Sequence, residues 1–309
     1  MSAGSTRTAT TPVTASRAAR AAGRTRAARR GATSRFRASD LLLYAAMAVV
    51  VAFFVFPLLW VLSLSLKSVD QLFVTPPILV PTDAQWGNYA TVVDTTPMAR
   101  YLLNSTLIVA STVLVTLLLA VPSAYALSRF VFPARRVYLV ATLAAQLISP
   151  IVLVVPLYRL FVDLALLNSY ASLVAVYAAV QLPFTTWFLK GYLDTVPREL
   201  DEAALVDGCG RLRAMAQAVL PAAAPGIASV AILVAVLSWS QFIIPFVLLD
   251  DRDLFPISVG VVNLQSTTGD ITIHYLAAGA VIAIVPVIVV FVALQRFIVG
   301  ALTQGAVKD

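Results

Sequence analysis

The chain has 309 residues, of which 60% are hydrophobic and only 12% are charged, and its net charge is +7. Soluble domains are about 45–50% apolar and about 25% charged, so this composition excludes an ordinary soluble protein and predicts a membrane protein with several spans. Cys209 and His274 are the single cysteine and the single histidine. No intrachain disulfide and no His/Cys metal cluster can therefore form, and we expect no metal and no cofactor.

The first 39 residues contain nine arginines and no acidic residue. Such an arm can bind nucleic acid or anionic lipid, and it also resembles an Arg-rich, Ser-rich organellar transit peptide. Because the apolar run that follows is long enough to span a bilayer, the arm is not a cleavable secretory signal. We expect residues 1–39 to be a disordered basic tail on the cytoplasmic side, next to membrane lipid, with no nucleic-acid partner.

Six apolar runs approach the roughly 20 residues that a helix needs to cross the hydrocarbon core. They are Leu41–Leu66, Asn104–Leu127, Val137–Tyr158, Ala171–Leu189, Ala222–Leu248 and Leu276–Val299. Prolines interrupt the third and fourth runs, which spans tolerate where neighbours satisfy the freed backbone groups. The sequence predicts an all-α, polytopic membrane protein with six transmembrane helices over residues 40–300 and a short tail, 301–309.

Lysine and arginine fall mainly on one side of these spans. With the N-terminus inside, 18 basic residues lie in inner segments and 4 in outer segments, namely Lys67, Arg100, Arg159 and Arg252. Because basic residues concentrate in cytoplasmic segments, both termini and the 190–221 loop are predicted to be cytoplasmic.

The apolar cores hold no ionisable side chain well inside the membrane, whereas ion-driven carriers place such groups there. The sequence also lacks the G-x-x-x-x-G-K-[ST] phosphate loop, and we expect no catalytic residues. If the chain moves a solute uphill, a separate subunit must supply the energy.

Uncharged polar residues within the spans admit two interpretations. They can hydrogen-bond between helices, or they can line a pathway for a neutral, polyhydroxylated solute. The candidate pathway residues are Gln146, Ser149, Gln181, Ser238, Ser240 and Gln241.

The 190–221 loop carries a helix–turn–helix signal. Pro197 precedes an acidic first turn, which suits a helix N-terminus, and Gly208 can end the helix in the left-handed conformation. A second short helix is predicted from Arg211 to Val219, and Pro221 opens the fifth span.

This loop resembles that of the permease subunits of bacterial ATP-binding-cassette importers, whose shared motif is E-A-A, three residues, G, nine residues, I, one residue, L-P. The chain departs from the motif at Ala218, where the family usually has Ile or Val. The resemblance identifies the ATPase-coupling residues as Glu202, Ala203, Ala204, Asp207, Gly208, Leu220 and Pro221.

The resemblance implies a permease of the bacterial inner membrane that pairs with a second permease subunit and rests on a cytoplasmic ATPase dimer. An extracytoplasmic solute-binding protein would deliver the solute. Residues 199–210 would be the coupling helix, with Glu202 paired to a basic residue of the ATPase, and ATP hydrolysis would reside on the partner chain rather than on this one.

Further segments resemble the maltose-type, sugar-importing branch: Asn88-Tyr89, Asn104-Ser105, the run from Ser123 to Phe130, Phe132-Pro133, and the tail from Leu302 to Lys308. They imply a sugar or a related polyol as solute. A departure at Trp239-Ser240-Gln241, where the branch often has Trp-Asn-Asp, leaves the solute open. Alternatives are an importer permease for a non-sugar solute, an uncoupled channel or facilitator, and a scaffold subunit of a membrane complex.

Overall fold

The computed structural model describes residues 38–267 and 273–306, and the regular structure in those ranges is helical, with no strand. The helices are α1 (Ala38–Ser65), α2 (Val69–Leu72), α3 (Gly87–Thr95), α4 (Met98–Arg129), α5 (Arg135–Ala145), α6 (Pro150–Asp163), α7 (Tyr170–Leu193), α8 (Glu199–Val206), α9 (Arg211–Ala214), α10 (Leu220–Trp239), α11 (Ile243–Leu248), α12 (Ile257–Thr267) and α13 (Ile273–Ala306). A π-helical turn, Met215–Val219, joins α9 to α10, and a 3₁₀ turn, Arg252–Leu254, lies between α11 and α12.

Within the described residues, five helical segments are long and apolar enough to cross a membrane. They are Asp40–Ser65, Met98–Arg129, Tyr170–Leu193, Arg211–Trp239 and Ile273–Ala293. The predicted all-α, polytopic membrane fold is confirmed. The basic arm, apart from its last residues, lies outside the described residues, as do 307–309 of the predicted C-terminal tail; residues 301–306 continue α13.

The third predicted span, Val137–Tyr158, is not one continuous helix. α5 ends at Ala145 after 11 residues and α6 begins at Pro150 and has 14 residues, so each is shorter than the ~20 residues a span requires. Proline disfavours helical backbone in the residue before it, and Ser149 is extended, with φ −65° and ψ 133°. The fifth predicted span is likewise divided, because α10 ends at Trp239 and the chain resumes as α11.

The chain divides into two compact units after Pro57. In the first unit, side chains from Leu41 to Pro57 are exposed and almost all apolar, as suits a surface that faces lipid or another membrane helix. The second unit, from Leu58 onwards, contains the remaining helices.

The centre of the second unit is the packing of α4 against α7. Both helices bury a side chain at every fourth position, and residues four apart form one ridge of a helix surface. The buried ridge of α4 is Ile108, Thr112, Thr116, Ala120 and Ala124, and that of α7 is Leu173, Tyr177, Gln181, Thr185 and Leu189. Small residues on the α4 ridge allow close helix approach.

α10 lies close to the C-terminal end of α7, since a Cβ added to Gly226 would be 2.4 Å from the ring of Tyr192. α13 packs on α10, and Trp239 donates from Nε1 to the Ala283 carbonyl at 3.2 Å. These four helices, α4, α7, α10 and α13, therefore form the bundle from which the connecting segments emerge.

Polar side chains fix the segments at the predicted outer end. Lys67 is 2% exposed; its Nζ donates to the Ile78 carbonyl and lies 4.7 Å from the centre of the Trp60 ring. Near the start of α4, Asn104 donates from Nδ2 to the carbonyls of Asp253 and Phe255, in and after the 3₁₀ turn, at 2.9 and 3.0 Å. The outer segments are thus tied to the ends of the spans.

Candidate functional site

The predicted helix of the 190–221 loop is α8. Pro197 and Arg198 precede it, and its first turn contains Glu199, Asp201 and Glu202. Acidic groups in a first helical turn interact favourably with the positive end of the helix dipole. The local sequence is therefore sufficient to explain where α8 begins.

α8 ends as the position of Gly208 predicts. Gly208 has φ +81°; its N–H donates to the Leu205 carbonyl at 3.1 Å, and the N–H of Cys209 donates to the Ala204 carbonyl at 3.0 Å. This pair of bonds is a Schellman motif, in which the left-handed residue is most often glycine. The turn redirects the chain from α8 into α9.

One face of the loop is solvent-exposed and combines acidic with apolar side chains. Val206 is 87% exposed and Leu212 is 77% exposed, and Glu202 and Asp207 are also exposed. We call these four residues the loop surface. Exposed apolar groups with polar residues around them are typical of a surface that binds another protein.

The other face of α8 is tied to the bundle by a buried network that sequence reasoning did not identify. Tyr125 donates from its hydroxyl to Asp201 Oδ1 at 2.6 Å, and Arg129 Nε lies 2.8 Å from Asp201 Oδ2. Arg129 also donates to the carbonyls of Leu193 and Val196, at 3.2 and 3.1 Å. The side chains of Arg129 and Asp201 are only 7% and 12% exposed.

The remaining predicted coupling residues lie along the same loop. Ala203 is exposed and Ala204 is half-buried on α8, while Leu220 is half-buried and Pro221 is exposed at the start of α10. α9, the π-turn and α10 follow one another without a break, so the second short helix continues directly into the fifth predicted span.

Two of the six candidate pathway residues form a buried pair, and the other four lie at two breaks between helices. Gln181 and Ser238 form the buried pair: Gln181 Nε2 donates to Ser238 Oγ at 2.9 Å. Gln146 and Ser149 are exposed and lie in the break between α5 and α6. Gln146 donates from Nε2 to the Val180 carbonyl at 3.0 Å and lines a cavity of about 430 Å³ between this break and α7.

Ser240 and Gln241 lie in the second break, between α10 and α11. Ser240 is exposed, Gln241 is half-buried, and the Gln241 carbonyl accepts from Ser258 Oγ at 2.7 Å. α6 packs against α11, and each of these helices starts immediately after one of the breaks. Non-helical backbone at membrane depth is tolerated where protein buries it or where it lines a water-filled cavity.

No group of three or more His, Cys, Asp or Glu side chains that could hold a metal ion occurs among the described residues. The structure contains an exposed surface of acidic and apolar side chains at the predicted inner end, and polar groups at two interrupted helices.

Comparison with known proteins matches residues 98–304 to the family described as binding-protein-dependent transport system inner membrane component. The chain is 35% identical over 269 residues to the diacetylchitobiose uptake system permease protein NgcG of Streptomyces coelicolor, covering 87% of each chain. It is 31% identical over 255 residues to the trehalose/maltose transport system permease protein MalG of Thermococcus litoralis, covering 82% of this chain and 91% of the relative.

The same fold occurs in a solved structure. A chain of a bacterial ABC transporter involved in the import of the acidic polysaccharide alginate superposes with a TM-score of 0.70 at 21% sequence identity, covering 85% of this chain and 99% of that one. The motif that suggested the family in the loop lies inside the matched range, 98–304.

Proposed function

Because the chain belongs to the family of inner-membrane components of binding-protein-dependent transport systems, a family of transport permeases rather than of enzymes, we propose that it is one permease subunit of an ATP-driven sugar importer. It is a multi-pass membrane protein, and in this proposal it forms half of the pathway while a separate ATPase supplies the energy. The proposal includes a second permease subunit, an ATPase dimer and an extracytoplasmic solute-binding protein.

The observation that carries the proposal is the loop surface. Glu202 and Val206 on α8, Asp207 at its C-terminal end and Leu212 on α9 are presented to solvent, while Asp201 holds α8 to the bundle. A partner with an apolar groove and a basic rim would cover such a surface, and a desolvated charge pair there would contribute both affinity and register. We place Glu202 opposite a basic residue of the ATPase, with Ala203 and Ala204 allowing close approach.

The proposed solute is a sugar. Two of the relatives are named for uptake of diacetylchitobiose and of trehalose/maltose, and the uncharged amide and hydroxyl groups at the two helix breaks suit a neutral, polyhydroxylated molecule. Gln146, Ser149, Ser240 and Gln241 are the groups we assign to the pathway. Gln181 donates a hydrogen bond to Ser238, so this pair would hold α10 against α7 beside the second break rather than contact the solute in this conformation.

The proposed orientation places both termini and α8 in the cytoplasm. Eighteen of the 22 lysine and arginine residues then lie inside and four outside, in keeping with the rule that short cytoplasmic segments are enriched in basic residues. The loop surface would face the compartment that holds the ATPase.

Purification and transport assays test the function. The tagged chain, extracted in mild detergent from its native membrane, should bring with it a second permease and an ATPase. In vesicles supplied with the binding protein, we expect ATP-dependent accumulation of labelled diacetylchitobiose, trehalose or maltose. Equal uptake without ATP would instead indicate a facilitator, and purification without any ATPase would indicate a scaffold or another role.

A further inference from the structure

Asp201 differs from its neighbours on α8 because its carboxylate points into the protein. Glu199, Glu202 and Asp207 are exposed, whereas Asp201 is 9% exposed. We infer that Asp201, Tyr125 and Arg129 form a tie that makes α8 move as one rigid body with the inner ends of α4 and α7. The inference rests on the proposed function, in which α8 is the segment that an ATPase moves, and it assigns the three residues as positioning residues for coupling.

The chemistry of Arg129 suits a rigid tie. Its guanidinium reaches three acceptors at once: Asp201 Oδ2 at 2.8 Å, the Leu193 carbonyl at 3.2 Å and the Val196 carbonyl at 3.1 Å. Arginine presents its donors in a planar fork, and hydrogen bonds between charged groups are stronger than neutral ones, the more so when water is excluded. One side chain of α4 therefore fixes the end of α7 and the start of α8 relative to each other.

Tyr125, one turn earlier on α4, contacts the other oxygen of the Asp201 carboxylate. Its hydroxyl bonds Asp201 Oδ1 at 2.6 Å, and its ring stands edge-on to Phe130 with centroids 6.3 Å apart. Both oxygens of Asp201 thus contact α4: Oδ1 accepts a hydrogen bond from Tyr125, and Oδ2 forms an ion pair with Arg129. Tyr125 and Arg129 are four positions apart and share one helix face. The carboxylate cannot move away from α4 without breaking the hydrogen bond and separating the buried ion pair.

A second set of bonds joins the same ends without using Asp201. Arg198 donates from Nη2 to the Ser128 carbonyl at 3.3 Å, and Ser128 donates from Oγ to Asp194 Oδ1 at 2.7 Å. At its other end the loop returns to the bundle through the Gly208 turn, α9 and the π-turn Met215–Val219. The polar connections of α8 run directly to α4 and, through Arg129, to the end of α7, while α8 also packs against α9 and the π-turn. A push on α8 is therefore transmitted to α4 and α7 through these bonds, in addition to the path through the π-turn to α10.

The tie predicts that the distance from α8 to the end of α4 does not change when ATP closes the ATPase dimer. Spin labels on Glu199→Cys and Val131→Cys, in a Cys209→Ser chain assembled into the complete complex, measure that distance by pulsed electron resonance. We expect the same mean distance and width without nucleotide and after trapping with ATP and vanadate. In the same chain carrying Tyr125→Phe, which removes only the hydroxyl, or Asp201→Asn, ATP should shift or broaden the distribution.

A functional readout accompanies the distance. Tyr125→Phe and Asp201→Asn should keep the ATPase bound, yet the ATP hydrolysed per labelled diacetylchitobiose imported should rise above the parent ratio. Asp201→Glu, which retains the carboxylate, should recover part of the loss. Glu199→Gln is the matched control: it neutralises an exposed acid in the first turn of the same helix, and it should leave the ratio unchanged.

The tie is overturned if the parent distance changes with ATP as much as the variant distance, or if Asp201→Asn and Tyr125→Phe keep the parent ratio. Glu202→Lys, measured in parallel, separates this from the proposed function. Release of the ATPase by Glu202→Lys together with intact coupling in Asp201→Asn would reject the tie alone and leave α8 as the docking element.

Discussion

Gln181 and Ser238 are 57 residues apart in sequence, yet Gln181 Nε2 donates to Ser238 Oγ at 2.9 Å in the interior of the bundle. The two side chains are 7% and 3% exposed, and they join α7 to the last turn of α10, directly before the break at Ser240. This bond therefore holds the end of α10, where the helix is interrupted, against α7 of the central α4–α7 pair.

Replacing Ser238 by alanine should destabilise the protein by about 1–3 kcal/mol, because a buried amide donor loses its partner. The double variant, Gln181→Leu with Ser238→Ala, removes both polar groups and should recover most of that loss. Thermal unfolding in detergent measures both. Equal stability of Ser238→Ala and the parent would show that the bond contributes little, as some interhelical bonds in membranes do.

Gly208 should be sensitive to substitution because of its backbone and not because of crowding. Its φ is +81°, and no neighbouring atom lies within 4 Å of an added Cβ. A non-glycine residue in the left-handed region costs roughly 1–2 kcal/mol, so Gly208→Val should fray the end of α8 and reduce uptake, while Gly208→Asn should do less harm.

Gly210 provides the matched control. It also has open space around an added Cβ, but its φ is −70°, which any residue adopts. Gly210→Ala should therefore leave stability and uptake at parent values. Loss of uptake in Gly210→Ala equal to that in Gly208→Val would mean that the loop needs small residues for docking rather than a left-handed turn.

The loop was predictable from sequence because its signals are local: Pro197 before the helix, acids in the first turn, and Gly208 at the end. The tie was not, since Asp201 and Tyr125 are 76 residues apart and Asp201 looks like any other acid of its turn. Asp194 likewise reads as an ordinary loop acid, but it bonds Ser128 and Lys190. Composition identifies which side chains carry charge, whereas tertiary packing decides which of them face inward.

The interrupted third span shows a different limit. Hydropathy averaged over Val137–Tyr158 hardly changes with one proline. The backbone conformation of Ser149, in contrast, is restricted by Pro150 directly. The start of α6 thus follows from steric restriction at a single residue, Ser149, and Gln146 and Ser149 are exposed in the break that precedes it. Four of the six candidate pathway residues lie at such breaks, where lost helical hydrogen bonds leave backbone groups for water or solute.

The predicted orientation can be tested with single cysteines. In sealed cells, an impermeant thiol reagent should label Asn263→Cys in a Cys209→Ser chain and should not label native Cys209. Cys209 is half-buried, so permeabilised membranes are the control in which it must react. Labelling of Cys209 from outside in sealed cells would invert the topology and remove α8 from the cytoplasm.

If α8 docks on the ATPase as proposed, substitution of Glu202 should have the largest effect on coupling. Its side chain is exposed on the loop surface, whereas in the assembled importer we expect it to be desolvated against a cation of the ATPase. Loss of one member of such a pair costs about 2–5 kcal/mol, which is roughly 30-fold or more in affinity. Glu202→Lys adds repulsion, so it should abolish uptake and release the ATPase during purification, while Glu202→Gln should weaken both.

Asp163→Lys is the matched substitution at an exposed acid on the predicted opposite side of the membrane, and it should retain ATPase association and uptake. Asp194 would not serve as this control, because a lysine there would face Lys190 and lose the bond from Ser128. All variants must reach the membrane in equal amounts, which immunoblotting of membrane fractions checks. Near-normal uptake and ATPase association in Glu202→Lys would show that α8 is not the coupling element and would leave the loop surface to another partner.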